Sequence, residues 1–190
     1  MVWAPSAVWD NDTSQYYVFW SSMFYDASDT SHRGSGSLKR IRYATTKDFK
    51  SFSSPRDYLV FPKNSIIDQE FLFLGQKDHY ARFYKDESSG SHVAIDISST
   101  GIFGNWSRVG YVRPEGQREG AAAFADNSIP GKYYVFLDNY TEYLPFTTSN
   151  ISTTPWDVPK WSSFPSGLKH GSVTQLTQSE YDRISQRYHV

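Results

Sequence analysis

Residues 64–87, NSIIDQEFLFLGQKDHYARFYKDE, read as a buried β-hairpin: an apolar strand, a polar turn around Gly75, and an aromatic return strand from Tyr80 to Tyr84. One residue is out of place. Asp68 follows Ile66 and Ile67 directly and shares its strand with Phe71, Leu72 and Phe73. An ionised carboxylate among apolar neighbours is costly unless it is paired or used, which makes Asp68 the first candidate for chemistry. Its plain alternative is a turn residue capping the strand entry after Asn64-Ser65.

The hairpin has counterparts on both sides. VWAPSAVWDNDTSQYYVFWSS (2–22) is followed by LKRIRYATTKDFKSFSS (38–54), and REGAAAFADNSIPGKYYVFLDNY (118–140) by FTTSNISTTPWDVPKW (146–161). Each unit has an apolar opening strand, a polar turn, a strand centred on aromatic residues and a later strand. That strand runs into a Ser/Thr-rich turn and then an aromatic residue, Phe52, Trp106 or Trp156. Helical periodicity is almost absent, so the pattern is all-β. The 51 positions from Asp68 to Glu119 suit a four-stranded propeller blade. The expected architecture is a β-propeller of one domain over 1–190, with repeats at 1–62, 63–113 and 114–165 and a closing segment at 166–190. Opening strands line the channel of a propeller, so Trp3, Asp68 and Glu119 are expected to converge on its axis. In the closing segment SEYDRISQRY, residues 179–188, reads as a short helix with Ser179 as its cap.

The composition narrows the partner. Charges balance at −1 over 190 residues, with none of the basic footprint of a nucleic-acid binder. Aromatic residues make up 17% of the chain and supply flat apolar faces that stack on sugars. Cysteine is lacking, so thiols give no reading of the redox compartment. Acceptor sequons at Asn11, Asn105, Asn139 and Asn150 suggest an extracellular, secreted parent protein. Met1 is nevertheless followed by VWAPSAVWD, with neither a basic nor an apolar leader region, so no signal peptide opens this chain. No apolar run approaches a membrane span.

The order WAPS, IIDQEF, RFYKDE, REGAAAF, YYVFLDNY and HGSVTQLTQSEYDRI closely resembles glycoside hydrolase family 43, the five-bladed β-propellers of arabinofuranosidase and xylosidase type, over nearly the whole chain. The resemblance implies inverting hydrolysis with three acidic residues: a base Asp in the first blade, an orienting Asp in the second and an acid Glu in the third. Asp68 falls on the orienting residue and Glu119 on the acid. Trp3 and Arg118 fall on the wall of the sugar site, and His170 sits where the family often places a channel histidine near a metal. The implied partner is an arabinose- or xylose-containing polysaccharide. No cofactor is required, and calcium or sodium on the axis is the metal the resemblance allows.

Inverting hydrolysis needs a protonated acid and a carboxylate base roughly 6.5–9.5 Å apart, and a negative charge on Asp68 would favour a protonated Glu119. Plain alternatives stand beside each role. Trp3 equally suits core packing, His170 an ordinary hydrogen-bonded histidine, and Glu119 a pairing with Arg118, although adjacent strand residues point to opposite faces. Two departures from the family pattern are mild, Ala121 where Pro usually follows Glu-Gly and Lys169 before His170-Gly171. A larger one is that the base belongs to an Arg-Asp-Pro-like motif upstream of WAPS. Asp57, in SPRDYLVF, reads as a solvated residue of an outer strand and does not replace it. The sequence therefore describes a partial propeller of about three blades without its base. The competing expectations are a non-catalytic carbohydrate-binding remnant and a homo-oligomer in which a second copy completes the ring and supplies a carboxylate.

Overall fold

The computed structural model describes residues 1–88 and 90–189. Among them the chain forms three antiparallel sheets in sequence order. The first holds β1 (Val2–Asp10), β2 (Gln15–Ser22), β3 (Arg40–Thr46) and β4 (Arg56–Leu59). The second holds β5 (Ile66–Phe73), β6 (Tyr80–Asp86), β7 (His92–Ser98) and β8 (Ser107–Tyr111), and the third holds β9 (Glu119–Ala125), β10 (Tyr133–Asp138) and β11 (Tyr143–Thr148). In every sheet sequence neighbours pair, as in a meander. A bridge between Thr147 and Asp157 begins a fourth strand on the third sheet. This is the all-β, partial propeller expected from the repeats.

Burial follows from the stacking of the sheets. The middle sheet is covered on both sides, so successive residues of its inner strands are buried on both faces, charged ones included. Phe71, Tyr84 and Ala94 meet Phe19 and Ile41 of the first sheet. Leu72, Phe83 and Ile95 meet Ala123, Val135, Leu137 and Trp156 on the side of the third. The three marker aromatics differ accordingly: Trp156 is fully buried, Trp106 lies 4.2 Å from the Arg82 guanidinium, and Phe52 is exposed. Polar groups also tie the first two sheets together. Tyr58 donates to Ile102 O at 2.6 Å and accepts from Arg82, whose other terminal nitrogen reaches Asp96 at 2.6 Å. Arg108 closes on the second Asp96 oxygen at 2.6 Å. Asp57 stands on β4, half exposed, paired with Arg40 and Arg42.

Each opening strand carries the same bulge, in which two residues oppose one. Ala4-Pro5 lie between the pairs Trp3↔Ser21 and Ser6↔Phe19, and Asp68-Gln69 between Ile67↔Lys85 and Glu70↔Phe83. Gly120-Ala121 lie between Glu119↔Asp138 and Ala122↔Phe136. The first bulge residue is left-handed in all three, with φ 48° at Ala4, 57° at Asp68 and 58° at Gly120. Such bulges re-aim a side chain. They also correct the alignment of the repeats: Asp68 corresponds to Gly120, and Glu119 corresponds to Ile67 and Trp3, one residue earlier.

The terminal helix α1 spans Gln178–Tyr188 with none of its residues buried. Its cap is Thr177, not Ser179. The Thr177 hydroxyl accepts from Glu180 N while the Glu180 carboxylate accepts from Thr177 N, a reciprocal capping box that needs the acidic residue three positions on.

Candidate active site

The three bulges and the closing segment enclose a cavity of roughly 360 Å³. Asp68, Gln69 and Glu70 of β5, Ser6 of β1 and His170 of the closing segment line it. Asp68 is 6% exposed. Its left-handed backbone turns the residue out of the strand register, and Ser21 Oγ accepts from its N–H at 3.0 Å. Asp68 Oδ2 accepts from Gly120 N at 3.3 Å and stands 3.9 Å from His170 Nδ1. Burial pushes the Asp68 carboxyl up, His170 opposes this, and the charge on Glu119 adds to it. Asp68 escapes the apolar strand through a bulge and binds the backbone beside Glu119.

Glu119 is half-buried and engages Lys85, whose Nζ donates to Oε2 at 2.7 Å. Arg118 turns away from it and donates to Gln117 O at 2.7 Å, so the adjacent pair does not form. Trp3 is 53% exposed, off the cavity wall, with the Lys39 ammonium 5.8 Å from its ring centroid. Lys39 in turn pairs with Glu87 at 2.8 Å, and Glu87 lies 3.8 Å from Lys85. Asp68 and His170 thus share the cavity lining, Glu119 stands beside it, one residue before the Gly120 N–H that Asp68 binds, and Trp3 and Arg118 also lie outside the lining.

His170 packs against the Gly120 backbone. A Cβ at position 120 would stand 2.9 Å from His170 Cγ, on a residue that already needs positive φ. Glycine fits there for both reasons. Among the described residues no group of three or more His, Cys, Asp or Glu is placed to hold a metal ion.

Three residues of the site were missed in the sequence. Lys85 and Glu70 carried the same signal as Asp68, a charge inside an apolar strand. Gln69 is 3% exposed, and among the described residues neither atom of its amide has a partner. Burial pushes the Glu70 carboxyl up to about 7, with the Ser6 hydroxyl opposing. A cavity lined with an unpaired amide beside hydroxyl and carboxyl groups suits a ligand rich in hydroxyls, because buried polar groups left unpaired are costly.

Three stacked antiparallel sheets, two of four strands and one of three, make up part of a β-propeller. The chain belongs to the glycosyl hydrolase 43-related family described as "Probable glycosyl hydrolase domain", which matches residues 1–182. It is 38% identical over 107 residues to an α-L-arabinofuranosidase of Bifidobacterium longum subsp. longum, covering 53% of this chain and 10% of that protein. An exo-β-1,3-galactanase of Phanerochaete chrysosporium, solved with β-1,3-galactotriose, superposes with TM-score 0.56 at 15% identity, over 82% of this chain and 36% of its own. An α-L-arabinanase of Penicillium chrysogenum, solved with arabinobiose, gives TM-score 0.56 at 15% identity, over 82% and 44%. The chain therefore spans less than half of each of these proteins.

Proposed function

We propose that the chain carries part of the active site of an inverting glycoside hydrolase acting on arabinofuranosyl or xylosyl units of plant polysaccharide. The observation that carries this reading is the bond from Gly120 N to Asp68 Oδ2 at 3.3 Å, which locks an acidic side chain of one blade to the residue after Glu119 on the next. Glu119 gives its proton to the leaving oxygen, Asp68 orients it, and a base carboxylate outside these residues activates water on the opposite face of the sugar. Gln69 and Ser6 offer hydrogen bonds to the sugar hydroxyls. The arabinofuranosidase relative supports the pentose. Exposed Asn11, Asn105 and Asn150 support an extracellular workplace.

The test is hydrolysis of para-nitrophenyl α-L-arabinofuranoside and β-D-xyloside, with Glu119→Gln as the matched control. Loss of the acid is expected to lower turnover by about 10²–10⁴-fold. Equal rates in both proteins would refute the assignment. A second reading, a carbohydrate-binding module without turnover, is favoured by the Lys85 ion pair, which occupies Glu119. Under it neither protein hydrolyses the glycosides and both bind arabino-oligosaccharides in calorimetry.

A further inference from the structure

Lys85 lies on β6 and is 6% exposed, where an ammonium is tolerated only when paired. Its neighbours come from every element packed around it. Glu119 of β9 stands at 2.7 Å, Glu87 at 3.8 Å, and the Tyr140 ring centroid at 5.3 Å. The charge on Lys85 also reaches Asp68 of β5. Glu87 is shared with Lys39 at 2.8 Å, and Arg118 is occupied by Gln117 O. Glu119 is therefore the principal partner. Burial works against the Lys85 charge, but Glu119 and the Tyr140 phenol outweigh it and hold its pKa above the ordinary lysine value.

We propose that Lys85 is a positioning residue for Glu119: its ammonium fixes the carboxyl beside the cavity and stabilises the carboxylate left when Glu119 gives its proton to a departing sugar oxygen. In that step the O–H bond of the Glu119 acid breaks and an O–H bond forms on the leaving oxygen. That oxygen keeps the electron pair of the broken glycosidic C–O bond, and the negative charge gained by Glu119 lies against Lys85. The inference rests on the reading of Glu119 as the acid, but its test does not require turnover.

The experiment is a ¹³C NMR pH titration of the glutamate carboxyl carbons in the unmodified chain, Lys85→Met and Lys85→Arg, with the Glu119 signal identified by its loss in Glu119→Gln. An opposing charge at contact distance is worth about one pH unit or more. The Glu119 signal in Lys85→Met is therefore expected to titrate that much higher than in the unmodified chain, while Lys85→Arg stays close to it. A Glu119 signal that does not move in folded Lys85→Met overturns the proposal. Where the glycosides are hydrolysed, the basic limb of the kcat/KM profile moves upward in Lys85→Met with KM unchanged. Absence of hydrolysis together with a moved titration supports the Lys85 pairing and reflects the base that these residues do not supply. Should Lys85→Met not fold, the ¹⁵N-detected Lys85 ammonium signal is followed instead. It is expected to survive Glu87→Gln and vanish in Glu119→Gln, and its survival in Glu119→Gln refutes the proposal.

Discussion

Replacing Glu70 with Gln should stabilise the protein above neutral pH and flatten its pH dependence. Glu70 sits on β5 opposite Phe83, half-buried on the cavity wall, with only the Ser6 hydroxyl to offset its desolvation. Its carboxyl is pushed from 4.5 up to about 7, so the folded chain holds this proton to higher pH than the unfolded chain does. The contribution to stability is complete below about pH 4.5, falls as pH rises through the folded value near 7, and stays low above it. That interval corresponds to about 3 kcal/mol, or about 6–12 °C in Tm for a domain of this size. Thermal unfolding of both proteins at pH 5 and pH 8 reads the effect directly. The near-isosteric Gln should match the acid at pH 5 and exceed it by about 3 kcal/mol at pH 8. Asp68 is displaced in the same direction but is present in both proteins and drops out of the comparison. An equal loss of stability between pH 5 and pH 8 in the two proteins would refute the argument.

Gly120→Ala adds a Cβ at φ 58° and 2.9 Å from His170 Cγ, and should cost about 2–4 kcal/mol in urea unfolding; a change below about 0.5 kcal/mol would mean that the bulge relaxes freely. Asp96→Asn strips the partner from buried Arg82 and from Arg108 and should cost about 3–5 kcal/mol. Asp57→Asn, at a half-exposed pair on β4, should stay within about 1 kcal/mol, and similar losses at the two sites would contradict the burial argument. Thr177→Ala removes the cap of α1 and should speed amide exchange in the first helical turn about fivefold with no change in global Tm; a lower Tm would mean that the helix is docked rather than free.

The blades were legible because a sheet records its pairing in short-range chemistry. Polar turns, aromatic pairs such as Tyr16-Tyr17 and Tyr133-Tyr134, and the misplaced charge at Asp68 are all local signals. The helix was also visible, although its cap was placed two residues late: the decisive partner, Glu180, marks Thr177 only when the capping box is read as a pair. Lys85 could have been found by the rule that found Asp68. Its meaning could not, since Glu119 lies 34 positions away.

By itself the sequence determined the all-β architecture, the order of the repeats and the acidic candidates at the starts of the inner strands, because alternation, turn residues and misplaced charges are properties of adjacent positions. Only the tertiary structure decided the register of those candidates. The left-handed bulges align Asp68 with Gly120, leave Glu119 one step earlier, and let the Asp68 carboxylate bond the backbone of the neighbouring blade. Stacking of the sheets then placed Lys85 against Glu119 and, among the described residues, gave Glu70 no ion pair. Those distances depend on how the blades pack, which no local pattern in a single strand records.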